Sequence, residues 1–270
     1  MDTKAVIEHW YKKLRFPDRL GGAFYRALNS IPVPEDVTLE SYDLGSKDGA
    51  RNLLTFLYLC EETHNRAAAL GIPENVITDT LGDIVICTED NSAVRGELYL
   101  GQLKWLRIHL SLKLFRLGRL QFCMAKAPRD IPAAGVSQND PVLEIHVPRG
   151  GKLPPEACLN SLTQAKAFFP AHFPEFGYKV FLCYSWLLDD ALESYLPGGS
   201  NILRFAALFE RVYQTETYDI LGSVFRIDTT PENLSRAECT SAFAQRIKVA
   251  VLSGEKFHTA LGFIAAEGRG

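Results

Sequence analysis

The sequence predicts an α/β (α+β) fold in two parts, a helical N-terminal domain over residues 1–112 and a mixed β-sheet flanked by helices over 113–270. Three observations carry that expectation. Apolar residues recur at helical spacing through the first hundred or so residues, and strands begin to alternate with helices near Phe115. Lys179 to Leu188, KVFLCYSWLL, is almost wholly apolar, as a strand buried on both faces of a sheet must be, and so marks the sheet's centre.

Element by element, Val6, Ile7, Trp10, Tyr11 and Leu14 line one side of a first helix, which Phe16-Pro17 ends because a residue before proline leaves the α region. Ile31 to Gly49, with prolines at 32 and 34, reads as loop. Helical periodicity resumes from Ala50 to Leu70 and stops at Gly71 and Pro73. Asn75 to Cys87 and Leu98 to Leu110 are further helices, separated by TEDNSAVRG read as a polar turn. FRLGRLQFCMA, from Phe115, reads as one strand, and the short connection Arg129 to Asp140 predicts antiparallel pairing with a second strand, Val142 to Val147. A helix over Glu156 to Phe169 then leads by a crossover into the central apolar strand. Asp189 to Leu196 and Asn201 to Tyr213 read as helical, Gly222 to Asp228 as a strand, and Thr230-Pro231-Glu232 as the start of a helix reaching Leu252. Phe257 to Ala265 closes the sheet.

Composition excludes several classes. Net charge is −3 and the isoelectric point about 6.1, without the basic excess of a nucleic-acid binder. The six cysteines form no CxxC pair, which argues against disulfides and structural zinc. Charges run through MDTKAVIEHWYKKLRF instead of a signal peptide's apolar block, and no stretch reaches the length of a membrane span, so the expectation is a cytoplasmic protein without membrane or nucleic-acid partners. Homo-oligomerisation is left open.

The chemistry concentrates around PVLEIHVPRGGKLPPEAC, 141 to 158, which runs strand, basic glycine loop, helix. Alternation along the strand puts Glu144 and His146 on one face and Leu143, Ile145 and Val147 on the other. A carboxylate and an imidazole there suit a general base and a proton relay, and equally a solvated sheet face. Two such ligands are too few for a metal, so none is expected. Arg149, Gly150, Gly151 and Lys152 combine close backbone approach with cations ahead of a helix N-terminus, as an anion site needs, although RGGK alone also fits a surface turn. Seven basic residues and no acid lie between Gly101 and Arg129. Among them, Arg119 shares a presumed strand face with Gln121, as a substrate clamp or a structural polar network. Tyr184, Ser185 and Trp186 end the central strand, and Tyr195 follows a short helix later. A tyrosine there suits protonation of a leaving thiolate; Ser185 lacks the GxSxG setting of a nucleophile.

LFRLGRLQF (114 to 122), VLEIHVPRGGKLPPEAC (142 to 158), CYSWLL (183 to 188) and SNILRF (200 to 205) together make the chain resemble a bacterial family of GNAT-like acyltransferase-domain proteins. The resemblance implies a GNAT-like, centrally splayed sheet in the second half and an acyltransferase helical domain in the first. It implies acetyl-CoA or another acyl-CoA as co-substrate, with the strand to Val147 on the pantetheine and Arg149 to Lys152 on the pyrophosphate. It further implies an amine acceptor, a base at Glu144 or His146, and an acid at Tyr195 or, second, Tyr184. The superfamily's Gln/Arg-x-x-Gly-x-Gly/Ala loop is here replaced by adjacent glycines and then prolines, which offer no N–H. The alternative is a non-catalytic ligand-binding or sensing protein on a degenerate GNAT scaffold.

Overall fold

In a computed structural model, residues 2–33, 36–42 and 46–266 are described. The chain divides into two compact units, residues 1–116 and 117–270. The first unit holds α1 (Thr3–Lys13), α2 (Asp18–Ser30), α3 (Gly49–Ala69), α4 (Glu74–Leu81), α5 (Asp83–Arg95) and α6 (Leu103–Leu110). Val6, Ile7, Trp10 and Tyr11 form the buried stripe of α1, as their spacing requires. Phe16-Pro17 does not end that helix: α1 stops at Lys13, with Leu14 as its C-cap and Arg15 turning the chain at φ 59°. Pro17 has another place. It stands at the N-cap of α2, whose Leu20, Phe24, Ala27 and Leu28 repeat the amphipathic pattern. The loop read over Ile31 to Gly49 lies partly outside the described residues.

Two expectations in this unit need correction. Asn75 to Cys87 is not one helix, because the chain breaks at Gly82 between α4 and α5. TEDNSAVRG is not a turn, because α5 runs on to Arg95 and ends only where Gly96 takes a left-handed conformation. Its turn-forming side chains are absorbed by the helix: Thr88 Oγ1 donates to the Ile84 carbonyl at 2.6 Å and Asn91 Nδ2 to that of Cys87 at 2.6 Å. The predicted helix from Leu98 begins only at Leu103. It is tied to α5 through Asp83 Oδ2, which lies 3.3 Å from Trp105 Nε1 and 3.1 Å from His109 Nε2.

The β-sheet has six strands in the order β1-β2-β3-β4-β6-β5. The strands are β1 (Leu114–Leu117), β2 (Leu120–Lys126), β3 (Pro141–His146), β4 (Val180–Ser185), β5 (Glu210–Glu216) and β6 (His258–Ala265). The mixed sheet and its central apolar strand agree with the sequence reading. Three elements differ. FRLGRLQFCMA is a hairpin, folded at Gly118-Arg119. Asn201 to Tyr213 splits into the short helix α8 (Asn201–Ala206) and the edge strand β5, irregular between Arg211 and Tyr213. Gly222 to Asp228 is no strand; the chain there leaves the short helix α9 (Asp219–Val224), and the last helix, α10 (Ala242–Leu252), starts at the Ser241 cap, well after Pro231.

The sheet has two distinct faces. On one, Phe122 and Phe181 pack with Phe169 of α7 (Pro155–His172), ring centroids 6.5 and 5.7 Å from Phe122. On the other, the β2–β3 connection folds Ala127, Ile131 and Val136 over Val142, Val180, Leu182, Leu261 and Phe263. That connection covers only the end of the second face where β3 and β4 begin; Glu144, His146 and Tyr184 lie toward the other end. Among the described residues no helix is long and apolar enough to cross a membrane.

One hydroxyl fixes the β1–β2 hairpin on α7. Ser161, fully buried, accepts from the amides of Arg119 (2.9 Å) and Leu120 (3.3 Å) and donates to the Ala157 carbonyl (2.8 Å). Gly118 turns the chain at φ 71°, and a Cβ there would stand 3.0 Å from Ser161 Oγ. Ser161→Ala leaves both amides without that acceptor and is expected to lower the unfolding free energy by about 1–3 kcal/mol. The check is a urea midpoint at constant slope, and an unchanged midpoint would show that water replaces the hydroxyl.

Candidate functional site

The site begins where two parallel strands part. β3 and β4 are in register only at Leu143–Phe181 and Glu144–Leu182. β3 continues beside its antiparallel partner β2, pairing Cys123 with Glu144 and Gln121 with His146, while β4 continues beside β6, pairing Tyr184 with Leu261. The sheet is therefore splayed at its centre. Glu144 stands at the last pair before the gap, and on its face one row of side chains reads Gln121 and His146 on one bank, Tyr184, Leu261 and Tyr213 on the other.

Glu144 and His146 share a face, as alternation demands. Glu144 Oε2 lies 3.8 Å from His146 Nε2, beyond a direct hydrogen bond but within ion-pair reach. Burial raises the Glu144 carboxyl above its ordinary value. It thus holds a proton more readily than a surface carboxylate, the property a base needs to act near neutrality. Cys183, buried on the opposite face, has its thiol pushed up by burial first and by the Glu144 charge second. No thiolate is on offer there.

The loop after β3 is organised from outside itself. Gly150 and Gly151 both adopt left-handed conformations, φ 78° and 75°. Arg119 reaches across from the β1–β2 turn with Nε 2.7 Å from the Lys152 carbonyl, Nη1 3.0 Å from that of Pro148 and Nη2 3.4 Å from that of Gly151. A trans peptide carries its C=O and N–H on opposite edges, so the amides of Arg149, Lys152 and Leu153 face away from the guanidinium. Among the described residues, the amides of Gly150, Gly151, Lys152 and Leu153 donate to no acceptor in the chain. Successive uncommitted amides, the exposed Lys152 and the start of α7 together gather the donors and positive charge that an anion site needs.

Arg149, expected on the anion, and Arg119, read as a substrate clamp or a structural polar network, both donate to backbone carbonyls. Arg119 is not on a strand face with Gln121; it sits in the hairpin turn, one residue before β2, and its donors go to the loop. Arg149 Nη2 donates to the carbonyls of Gly222 and Ser223, the latter at 3.1 Å, because the end of α9 presents carbonyls that its own helix cannot satisfy. Trp186 Nε1 holds the same segment through Ser223 Oγ at 3.0 Å. Ser185 caps the turn after β4, its Oγ accepting from the Leu187 amide at 3.1 Å. Gln121 is buried beside His146, and Val147 follows the last residue of β3.

The two tyrosines separate. Tyr184 is 42% exposed and lies on the Glu144 face, its ring 6.3 Å from that of Tyr213. Tyr195 packs its ring 5.4 Å from Phe257, within the cluster of Leu192, Ile220, Leu221 and Ile247. Burial first, then Glu255 and Asp189, raises its hydroxyl. Sequence reasoning missed Tyr213, since its strand was read as helix, and so did not foresee that the guanidinium of Arg129, one of the seven basic residues noted above, stacks 4.1 Å over the Tyr213 ring. Among the described residues, no three His, Cys, Asp or Glu side chains gather as a metal would need.

The comparisons agree with this geometry. The family described as GNAT-like C-terminal domain matches residues 114–264, and the N-acyltransferase N-terminal domain matches residues 4–112. No curated protein sequence matches the chain. Among solved structures, an acyltransferase in complex with decanoyl-CoA and teicoplanin is 25% identical with a TM-score of 0.80, over 96% of this chain and 87% of that one. An acyltransferase in complex with CoA and 10C-teicoplanin gives 25% and 0.78 over the same shares, and an acyltransferase mutant in complex with octanoyl-CoA gives 25% and 0.79, again over 96% and 87%. A helical first part matching the N-acyltransferase N-terminal domain, followed by a splayed mixed sheet matching the GNAT-like C-terminal domain over more than half its length, makes this chain a member of the GNAT-like N-acyltransferase family.

Proposed function

We propose that the chain is an acyl-CoA-dependent N-acyltransferase in which Glu144 deprotonates the attacking amine. The observation that carries this reading is the partly buried carboxylate at the point where β3 and β4 part, with an anion-binding loop on the same strand. Similarity to acyltransferases that hold acyl-CoA supports the donor. The residues suit such a donor: the loop has uncommitted amides and Lys152 for a diphosphate, and the gap suits an extended arm.

The thioester supplies an activated acyl carbon, and the reaction forms a C–N bond as the C–S bond breaks. Glu144, ionised, accepts the proton lost by the amine nitrogen, with His146 as relay toward solvent. Tyr184, across the gap on the same face, donates a proton to the departing thiolate, whose ordinary pKa near 8.5 makes such help useful. We take the attack to be direct; Cys183 is no acyl carrier, because it lies on the opposite face and burial keeps its thiol protonated. Fixing amine and thioester side by side supplies a large further share of the rate.

The same burial that tunes Glu144 sets a sign for stability. Its folded pKa is raised, so the stabilisation it gives is complete below the unfolded value and is lost as pH rises through the folded one. At neutral pH the ionised form is a burden on the fold. Glu144→Gln is therefore expected to reduce kcat by roughly 10²- to 10⁴-fold while its urea midpoint at pH 7 stays equal or rises. In the native enzyme kcat/KM should fall on the acid side through a pKa above 4.5, the ordinary value of this carboxyl, and the variant should lose that limb. Native turnover in Glu144→Gln would remove Glu144 from the mechanism.

Lys152 and Arg149 act in different places on this reading. Lys152→Ala is expected to weaken CoA binding by about tenfold, the size of one charge-assisted contact, with an unchanged urea midpoint. Arg149→Ala is expected to lower the midpoint, because it releases the carbonyls of Gly222 and Ser223. Calorimetric titration with CoA, alongside unfolding, separates the two. Equal affinity in Lys152→Ala would take its ammonium out of the donor site.

A further inference from the structure

We infer that Arg119 is the positioning residue of the donor site, acting through the loop and not on the ligand. The inference rests on the reading above, that residues 148–153 take the diphosphate of acyl-CoA. Two adjacent glycines give this loop no preferred hand, since glycine visits positive and negative φ about equally. Nothing packs within 4 Å of where a Cβ would stand on either. Side-chain packing therefore does not choose the loop's conformation, and the peptides must be aimed by something else.

Arg119 supplies that aim. Its fork grips both ends of the loop at once, the Pro148 carbonyl on the way out of β3 and the Gly151 and Lys152 carbonyls on the way into α7. Five N–H groups in a rigid plane can hold three carbonyls in fixed relative directions, whereas an ammonium on a flexible stem cannot. The fork is itself fixed. The Arg119 amide is bound to buried Ser161 of α7, and Gly118 beside it closes against the same hydroxyl. Turning the carbonyls toward Arg119 turns the opposite peptide edges outward, so the residue that faces away from the anion creates the face that receives it. Without the fork, ordering of the loop is deferred to the moment of binding and weakens affinity.

The test uses the full chain with CoA and with pantetheine, which lacks the diphosphate, each titrated by calorimetry. Arg119→Ala is expected to weaken CoA by about 10- to 100-fold and to leave pantetheine unchanged. Arg119→Lys should bind CoA nearly as poorly as Arg119→Ala, and millimolar methylguanidinium should restore CoA affinity to Arg119→Ala alone. Recovery of native affinity in Arg119→Lys would show that charge matters and direction does not, and would overturn the inference. Equal loss for CoA and pantetheine would overturn it too, as general disruption. Should Arg119→Ala fail to fold, Arg119→Gln, with one amide in place of the fork, carries the same comparison. Native protein that binds no CoA would sink the donor-site reading itself, whereas native binding matched by Arg119→Ala sinks only this inference.

Discussion

Two parallel strands that pair for only two residues set the terms for everything around them. A parallel ladder buried at the centre of a sheet normally continues for the length of its strands, because each strand edge otherwise leaves amide and carbonyl groups without partners. Here β3 is carried off by β2 and β4 by β6, and the antiparallel pairings on the two outer sides are the longer ones. Each bank of the gap is therefore rigid on its far side and open on its near side. An extended, amide-bearing ligand arm can enter such a gap and pair with the strand edges as an added strand does. The divergence that weakens the sheet is what gives the proposed donor a place to lie.

The arginines show how far sequence reasoning reaches into a site and where it stops. Arginine beside adjacent glycines and ahead of a helix is compatible with phosphate binding, and the order strand, glycine loop, helix over 141–158 was legible. Whether a guanidinium meets a phosphate or a backbone carbonyl depends on which edge of each peptide faces it. That is decided by contacts 29 to 74 residues apart in the chain, and the residue string does not record them. Arg119 and Arg149 both resolved to carbonyls, which leaves Lys152 and the amides as the groups facing outward. Glu144 and His146, by contrast, were readable because period-2 alternation is local and needs no knowledge of the fold.

The same division runs through the elements. KVFLCYSWLL could be placed at the centre of the sheet because a continuous apolar run has few other uses. TEDNSAVRG was misread because Thr, Asn and Ser favour turns only when their side chains are free to bond the backbone of a turn; in α5, Thr88 and Asn91 instead spend them on carbonyls of the preceding turn. LFRLGRLQF conceals a hairpin because a single glycine within an apolar run does not announce a turn; the left-handed φ of 71° at Gly118 and the approach of Ser161 and Gln164 show why glycine stands there. Tyr213 was hidden by a short helix running into a short strand, where apolar periodicity is too brief to tell the two apart.

On the proposed reading, one strand measures the donor. Glu144 and Arg149 are five residues apart, and an extended chain of at most about 3.6 Å per residue sets an upper limit of roughly 18 Å between their Cα atoms. An acyl donor that presents its thioester to Glu144 while its diphosphate rests on the loop must carry an arm able to bridge that interval. β3 carries one end of the measure and leads directly into the other, but neither end is self-sufficient. The base depends on the parting of β4 for its position, and the loop depends on a guanidinium from the β1–β2 turn for its direction. A ruler anchored at both ends by other elements favours thioesters on long carriers over short free ones, because binding at the distant loop fixes the reacting carbon at the base.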